Sequence, residues 1–233
     1  MASTLLQIIQ AAVRRSGINE IPQSAFLSSS EEVQRLVSLA DEAGRALAQD
    51  HVWQFLIREA THTTLAAEDQ GDITVIAANG FSYILNDTIW NRTLQWPIYG
   101  PLDAQDWQAI KGSFPAYPYS EYRIRNNRLL LQPAPAAGNI LAFEYVTRFW
   151  IQSANQDKFT ADTDMPVFDD ELMILSIIWR FKTAEGLNGG DAYAKYEERL
   201  EYLMSRDGGK RTVSTGNTRY LRGVNYQPGN WTI

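Results

Sequence analysis

The segment that most constrains the fold is DDELMILSIIWRFKTAEGL, residues 169–187, which forms a predicted helix that is apolar on nearly every side. Asp169 is placed to cap the helix and Gly186 to end it, which predicts a helix over about 169–185. The apolar run stops at Arg180, well short of the roughly 18 residues that a membrane span requires. The helix must therefore bury two faces within a folded protein or an assembly.

Two apolar stripes run along this helix. One consists of Leu172, Leu175 and Trp179, and the other consists of Ile174, Ile177, Ile178 and Phe181. We expect one stripe to contact a partner helix, because surface helices usually bury a single apolar stripe. The other stripe is then left for the core of the domain or for a neighbouring subunit.

Three further segments, at about residues 3–16, 30–49 and 191–205, have the apolar spacing of amphipathic helices. The second of them opens with Ser29 three residues before Glu32, which is a capping-box pattern. Glycine-containing connections join the helices in pairs, which predicts one helical hairpin near each end of the chain.

The residues between these hairpins, about 53–150, have the alternating pattern of β-strands. Two alternating runs flank Asn126 and Asn127, which favours a β-hairpin, and residues 140–147 predict a further strand. The predicted fold class is therefore α+β, with a helical bundle made from N- and C-terminal helical hairpins and a small central antiparallel β region.

Charge divides the chain into an acidic body and a basic C-terminal segment. Residues 1–205 contain 16 Lys and Arg against 26 Asp and Glu, whereas residues 206–233 contain five basic residues against one acidic residue. An acidic body argues against a duplex-binding domain, because affinity for DNA comes largely from neutralising phosphates. It suits a surface past which DNA slides without specific binding.

Residues 208–233 lack any sustained helical or strand period but carry large aromatic side chains. Such residues are costly to leave exposed and are frequent in binding surfaces. We expect an extended arm that orders on a partner; the alternative is an arm that lies along its own domain.

The residues offer little support for chemistry. His51 and His62 are isolated in sequence, and we expect them to be structural. The acidic stretch at 157–171 lacks the glycine and spacing of a twelve-residue calcium loop. We therefore predict no catalytic site, no metal site and no cofactor. The chain has no cysteine, which fits a reducing cytoplasm, and its N-terminus lacks the features of a signal peptide.

The order of four segments resembles head-to-tail adaptor proteins of tailed bacteriophages, which are also called head completion or tail accessory proteins. The segments are DHVWQFLIREATHTT, ILNDTIWNRTLQWPIYGPLDAQDWQAIK, YRIRNNRLLLQPAPAAGNILAFEYVTRFWI and TADTDMPVFDDELMILSIIWRFKTAEGL. The likeness covers about residues 3–207 and is closest to adaptors of short-tailed phages.

The resemblance implies a structural protein of the virion, located at the head-tail junction and made in the host cytoplasm. It implies a homo-oligomeric ring, usually a dodecamer, that docks under the portal protein, extends the DNA channel and provides the attachment site for a tail tube or nozzle protein. Residues 1–207 would be the adaptor domain and residues 208–233 the portal-docking arm.

Two sets of residues follow from combining the resemblance with the sequence pattern. The predicted anchors of the arm are Arg219, Tyr220, Arg222, Tyr226 and Trp231. The predicted subunit interface is the stripe Ile174, Ile177, Ile178 and Phe181, because a ring subunit needs apolar surface beyond what its own fold covers.

Alternatives remain open at this level. Within the virion, the chain could be a stopper or tail-terminator ring. From other classes, it could be a glycan-binding module that uses Trp90, Trp96 and Trp107, or a cell-wall hydrolase with two carboxylates across a cleft.

Overall fold

The computed structural model describes residues 3–18, 21–112, 120–152 and 155–208. These residues have the predicted α+β fold, with helices at both ends and β-strands between them. The helices are α1 (Leu5–Ser16), α2 (Glu31–Asp50), α3 (Ile73–Ile76), α4 (Ala104–Gly112), α5 (Asp170–Ala184) and α6 (Gly190–Arg206). The strands are β1 (Ile57–Thr63), β2 (Asp69–Asp72), β3 (Phe81–Ile84), β4 (Trp90–Asn91), β5 (Trp96–Pro97), β6 (Glu121–Arg125), β7 (Arg128–Gln132) and β8 (Ile140–Thr147).

Helix α5 lies at the centre of the bundle and contacts α1, α2 and α6. Its ends form as the sequence predicts. The Asp169 carboxylate accepts a hydrogen bond from the backbone N–H of Leu172 at 3.0 Å. At the other end Gly186 has φ 70°, and the N–H of Leu187 bonds the carbonyl of Lys182 at 2.8 Å. This αL ending satisfies the last carbonyl groups of the helix.

The start of α2 differs from its predicted cap. The N-cap is Ser30 rather than Ser29, and its side chain makes no capping hydrogen bond. The Gln34 side chain instead donates to backbone carbonyls of the preceding loop, including that of Ser28 at 2.9 Å. The loop before α2 is therefore fixed by a glutamine of the helix rather than by a serine cap.

The strands form two antiparallel sheets. The larger has the order β1-β8-β4-β5, with β3 also paired to β8, and the smaller has the order β2-β7-β6. The predicted hairpin is confirmed as β6 and β7, with Asn126 and Asn127 at φ 52° and 58° in the connecting turn. Two positive φ angles give the turn a twist that matches the flanking strands, and asparagine tolerates them.

Strand β8 connects the two apolar cores of the molecule. Leu141 and Phe143 belong to the core between the sheets, whereas Val146 belongs to the core of the bundle. Just beyond the strand, Trp150 is fully buried in the bundle, where a Cβ added at Gly44 of α2 would overlap its ring. Strand β8 and the tryptophan that follows it therefore tie the sheet region to the bundle.

Candidate interaction site

The predicted subunit-interface stripe lies in the core of the bundle. Ile174, Ile177, Ile178 and Phe181 are 0–7% exposed in the single chain. They are covered because α5 is packed by α1, α2 and α6. The sequence pattern assigned these residues to a subunit contact on the expectation that the chain's own fold leaves them uncovered. Because the fold covers them, that argument no longer applies. The interface proposed below uses other residues.

The buried charge of α5 has partners within the bundle. Arg180 is buried, and its guanidinium donates to the hydroxyl and the carbonyl of Ser176. The Nε of Arg180 lies 3.4 Å from a carboxylate oxygen of Glu42, and the guanidinium lies 4.5 Å above the ring of Trp179. Helix α5 thus encloses one charged side chain in addition to its apolar stripes.

The predicted arm anchors, Arg219, Tyr220, Arg222, Tyr226 and Trp231, lie outside the described residues. The residues that come just before this segment are described. The Asp207 carboxylate accepts from the backbone N–H of Gln54 at 2.9 Å and lies 3.1 Å from Nε2 of His51. These two contacts attach the end of α6 to the end of α2.

An apolar groove lies beside Asp207. Its floor is Trp53, Phe55, Phe168, Leu172 and Leu203, and its rim is Asp169, Arg206 and Asp207. The groove has a volume of about 210 Å³. We call it the Trp53 groove. Its apolar floor and charged rim are typical of a surface that receives an apolar side chain.

A protruding apolar residue lies near the other end of α2. Leu27 is 89% exposed. Its backbone N–H donates to Ser24 Oγ at 3.1 Å, and the preceding N–H, that of Phe26, donates to Asp162 Oδ1 at 3.1 Å. The Gln34 side chain donates to the Phe26 carbonyl at 3.2 Å. We call residues 24–30 the Leu27 loop; its backbone is held in place while its apolar side chain faces solvent.

Asp169 links the two helices that border the groove. In addition to capping α5, its two oxygens accept from Nε and Nη2 of Arg199 on α6, at 3.0 and 2.9 Å. Burial acts to raise the pKa of Asp169, but the hydrogen bonds from Arg199 and from the Leu172 N–H outweigh it and hold the pKa below its ordinary value. Asp169 on the groove rim is therefore anionic and already paired at neutral pH.

The acidic stretch at 157–171 has structural roles. Asp164 accepts backbone N–H groups of Thr160 and Ala161 at 2.7 and 2.9 Å, and Asp170 accepts the hydroxyl of Ser3 at 2.6 Å. Within the described ranges, no group of three or more histidine, aspartate or glutamate side chains is arranged to hold a metal ion. These carboxylates instead fix the loop that crosses the bundle.

The two histidines also have structural surroundings. His51 is the contact of Asp207 described above, and its ring lies edge-on to Trp53 at 4.9 Å between centroids. Burial lowers the pKa of His62, which lies in β1. In the part of the chain that the structure describes, neither ring lies in the Trp53 groove.

The tryptophans of the sheet region do not form a shared exposed platform. Trp107 is 0% exposed, so it has no face available for stacking on a sugar, while Trp90 and Trp96 are half-buried. Trp96 lines a second cleft of about 230 Å³, together with Leu94 and Pro133. The three residues named for glycan binding are therefore not available as a set.

Sequence reasoning missed both the Leu27 loop and the Trp53 groove. The pattern SAFLSSS, an apolar pair among serines, could have indicated an exposed apolar residue. The groove had no such signal, because its floor is assembled from three separate segments of the chain. Among the described residues, no helix combines the length and the apolarity needed to cross a membrane.

Comparison with known proteins gives one family. The chain matches the SU10 adaptor protein family over residues 3–220. This match includes both helical hairpins, the sheet region between them and the first part of the C-terminal segment. No curated protein matches the chain.

Proposed function

This chain belongs to the SU10 adaptor protein family, a family of structural adaptor proteins of phages, and we propose that it forms the ring joining a portal to a tail. In this proposal the ring is a dodecamer of a short-tailed phage. It docks beneath the portal protein, extends the DNA channel and presents a site for a tail tube or nozzle protein. The observation that carries the proposal is the family match from residue 3 to residue 220.

The shape of the chain supports a structural role. Its two cores are joined by β8, its acidic side chains fix loops and helix ends, and α5 is enclosed by three helices. Such an arrangement favours a rigid building block over a site with mobile catalytic groups.

The charge distribution supports a channel that does not hold DNA. The excess of ten acidic residues over residues 1–205 would repel phosphate, so DNA would pass without specific binding. The basic segment that follows would instead meet an acidic surface of the portal. The fixed position of Asp207, just before the arm, would aim all arms of a ring in the same direction.

The proposal is tested by mixing the full-length protein with its portal and imaging the complex by electron microscopy. We expect a closed ring beneath the portal. In a variant with Arg219, Tyr220, Arg222, Tyr226 and Trp231 all changed to serine, we expect the circular dichroism spectrum of the wild type and no ring on the portal.

A matched control changes five polar residues of the same segment to alanine: Thr212, Ser214, Thr215, Asn217 and Thr218. This variant should dock as the wild type does, because its aromatic and cationic residues remain. A wild-type protein that attaches to the distal end of a completed tail, or to no portal at all, would contradict the proposed position.

A further inference from the structure

The Leu27 loop has the properties of a preformed contact. Because Leu27 is exposed, its side chain contributes almost no burial energy to its own fold. Its loop is nevertheless ordered by hydrogen bonds to Ser24, Asp162 and Gln34. Asp162 lies more than 130 residues away in sequence, so the loop is positioned by the tertiary fold rather than by local turn geometry. Ordering a segment costs conformational entropy. Because the fold already orders the Leu27 loop, a partner that buries Leu27 does not pay that cost again.

The Trp53 groove has the complementary shape and chemistry. It is concave where the Leu27 loop protrudes, and its floor consists of five apolar side chains. Trp53, Phe168 and Leu172 are already only 1–3% exposed, so the apolar area removed from water would come mainly from Leu27, which is 89% exposed. Removal of apolar area from water is the main favourable term in protein association.

The loop and the groove of one chain lie at opposite ends of α2. Leu27 comes four residues before Glu31, the first residue of the helix, and Trp53 comes three residues after Asp50, the last. A helix of 20 residues is about 30 Å long. Both ends of α2 are fixed to the bundle, so the Leu27 loop does not contact the Trp53 groove of its own chain. It can contact the Trp53 groove of another copy.

Charges beside the two surfaces are also complementary. Glu31 and Glu32 lie in the first turn of α2, next to the Leu27 loop. Arg206 lies on the rim of the groove, where its guanidinium donates to the hydroxyl of Tyr202. Among the described residues, none of these three charged groups forms an ion pair, whereas Asp169 and Asp207 on the same rim already have partners.

We propose that the Leu27 loop of one copy inserts into the Trp53 groove of the next copy, with Glu31 and Glu32 facing Arg206. Two different patches meet in this contact, so it is heterologous and closes into a ring when the rotation between copies permits. The inference rests on the proposed function, since it names the subunit contact of the proposed ring. It replaces the α5 stripe, which the fold covers.

The absence of cysteine from the sequence allows a direct test by cross-linking. The full-length double variant Leu27→Cys with Leu203→Cys is assembled on portals and oxidised. We expect a ladder of disulfide-linked species that extends to the complete ring, because every copy supplies one thiol to each neighbour. The matched control, Leu27→Cys with Tyr83→Cys, places the second thiol on exposed β3 and should give no ladder.

Three results would overturn the inference. Disulfide-linked dimers of the single variant Leu27→Cys would show that the Leu27 loop of one copy contacts the Leu27 loop of another copy. A cross-link within one chain between Leu203→Cys and Trp231→Cys would show that the arm fills the groove. Wild-type rings on portals without a ladder from the double variant would reject this contact while leaving the proposed function standing; a wild type that forms no ring would reject the proposed function itself.

Charge exchange gives an independent readout. Arg206→Glu, and separately Glu31→Arg with Glu32→Arg, should each lower the fraction of portals that carry a ring by about tenfold at low salt, since they place like charges together. Combining the three substitutions in one chain should restore ring formation. Failure of the combined variant to recover, with its circular dichroism spectrum unchanged, would contradict the pairing.

Discussion

The helical bundle is held together by contacts between residues far apart in the sequence, whereas the sheet region is held together by contacts between residues much closer in the sequence. In the bundle, Arg15 makes two hydrogen bonds to Glu171, at 2.6 and 2.9 Å, across 156 residues of chain. In the sheet region, every strand lies between residues 57 and 147, and the β6–β7 hairpin turns over two residues. The bundle therefore requires both ends of the chain, whereas the sheets require a contiguous part of it.

This difference indicates how the two regions depend on each other. The sheet region has an apolar core of its own, including Leu129, Leu141 and Phe143. The bundle core includes Val146 and Trp150, which are supplied by β8 and the residues after it. The bundle therefore relies on the sheet region for part of its packing.

Removing the connecting tryptophan should have the largest effect. Trp150→Ala leaves a cavity where the ring packs against Phe159 and Phe168, at 5.0 and 6.1 Å between centroids. We expect the free energy of unfolding, measured with urea, to fall by about 3–5 kcal/mol, the usual cost of deleting a buried tryptophan ring.

Hydrogen exchange shows whether that loss stays in the bundle. In Trp150→Ala, amides of α2 and α5 should exchange faster, while the β6–β7 amides, which lie outside the bundle core, should keep their protection. Equal loss of protection in both regions would show that the two cores form one cooperative unit.

A backbone change in the sheet region provides the next test. Gly100 has φ 145°, and an added Cβ would lie 2.5 Å from the carbonyl oxygen of Tyr122. We expect Gly100→Ala to lower the free energy of unfolding by about 3 kcal/mol, because backbone strain and overpacking each cost about 1–3 kcal/mol.

Gly71→Ala separates the two contributions. Gly71 also has a positive φ, 114°, but nothing lies within 4 Å of an added Cβ. The decrease in the free energy of unfolding caused by Gly71→Ala should reflect backbone strain alone, and it should be smaller than the decrease caused by Gly100→Ala. Equal losses from the two variants would show that the contact with Tyr122 has no energetic effect.

The sequence predicted the bundle more completely than the sheets, for a physical reason. The helix ends at Asp169 and Gly186 are determined by local hydrogen bonds, so their signals are local too. The Asn126-Asn127 turn is likewise specified by two adjacent residues. Strands β4 and β5 have two residues each, too few to show an alternating pattern; β4 forms because β8 supplies a partner, and β5 pairs with β4.

The candidate site was harder to predict because it is assembled from distant segments. Periodicity correctly indicates that α5 has two apolar stripes, but it carries no information on which element covers the second one. The Trp53 groove combines residues that follow α2 with residues at the start of α5 and at the end of α6, so its existence depends on how those helices begin and end. The order of the segments, rather than any single motif, pointed to the adaptor family that the match over residues 3–220 supports.

Adding a methyl group beside Trp150 should lower the free energy of unfolding less than removing the Trp150 ring does. Gly44→Ala places a Cβ against the Trp150 ring, which has no room to move. We expect a net loss of about 1–2 kcal/mol in the free energy of unfolding, because overpacking costs about 1–3 kcal/mol and alanine returns about 0.5–1 kcal/mol of helix propensity.

Two comparisons sharpen this prediction. Gly112→Ala in α4, where nothing lies within 4 Å of an added Cβ, should be neutral or stabilising. In the Trp150→Ala background, Gly44→Ala should also cease to destabilise, since the ring it meets is gone. Additive effects of the two substitutions would show that they do not act through this contact.

The smallest expected effect concerns the ion pair between α5 and α6. Asp169→Asn keeps a side-chain oxygen for the α5 cap but removes the negative charge that Arg199 contacts. Because both side chains are about one-third exposed, we expect a loss of about 0.5–1 kcal/mol at pH 7. Asp169→Ala removes the cap as well and should cost about 1 kcal/mol more.

The pH dependence identifies the charge as the cause of that loss. The pKa of Asp169 is lower in the folded protein than in the unfolded chain, where an aspartate titrates near about 3.9. The carboxylate therefore contributes its full stabilisation above about pH 4 and loses it as the pH falls through the folded pKa. Urea unfolding at pH 7, 5 and 3 should show the difference between wild type and Asp169→Asn shrinking at the lowest pH. If the stability difference between wild type and Asp169→Asn stays constant with pH, the loss comes from the geometry of the cap and not from the charge. In that case the stability difference between wild type and Arg199→Gln, which removes the same ion pair from the other side, should also be independent of pH.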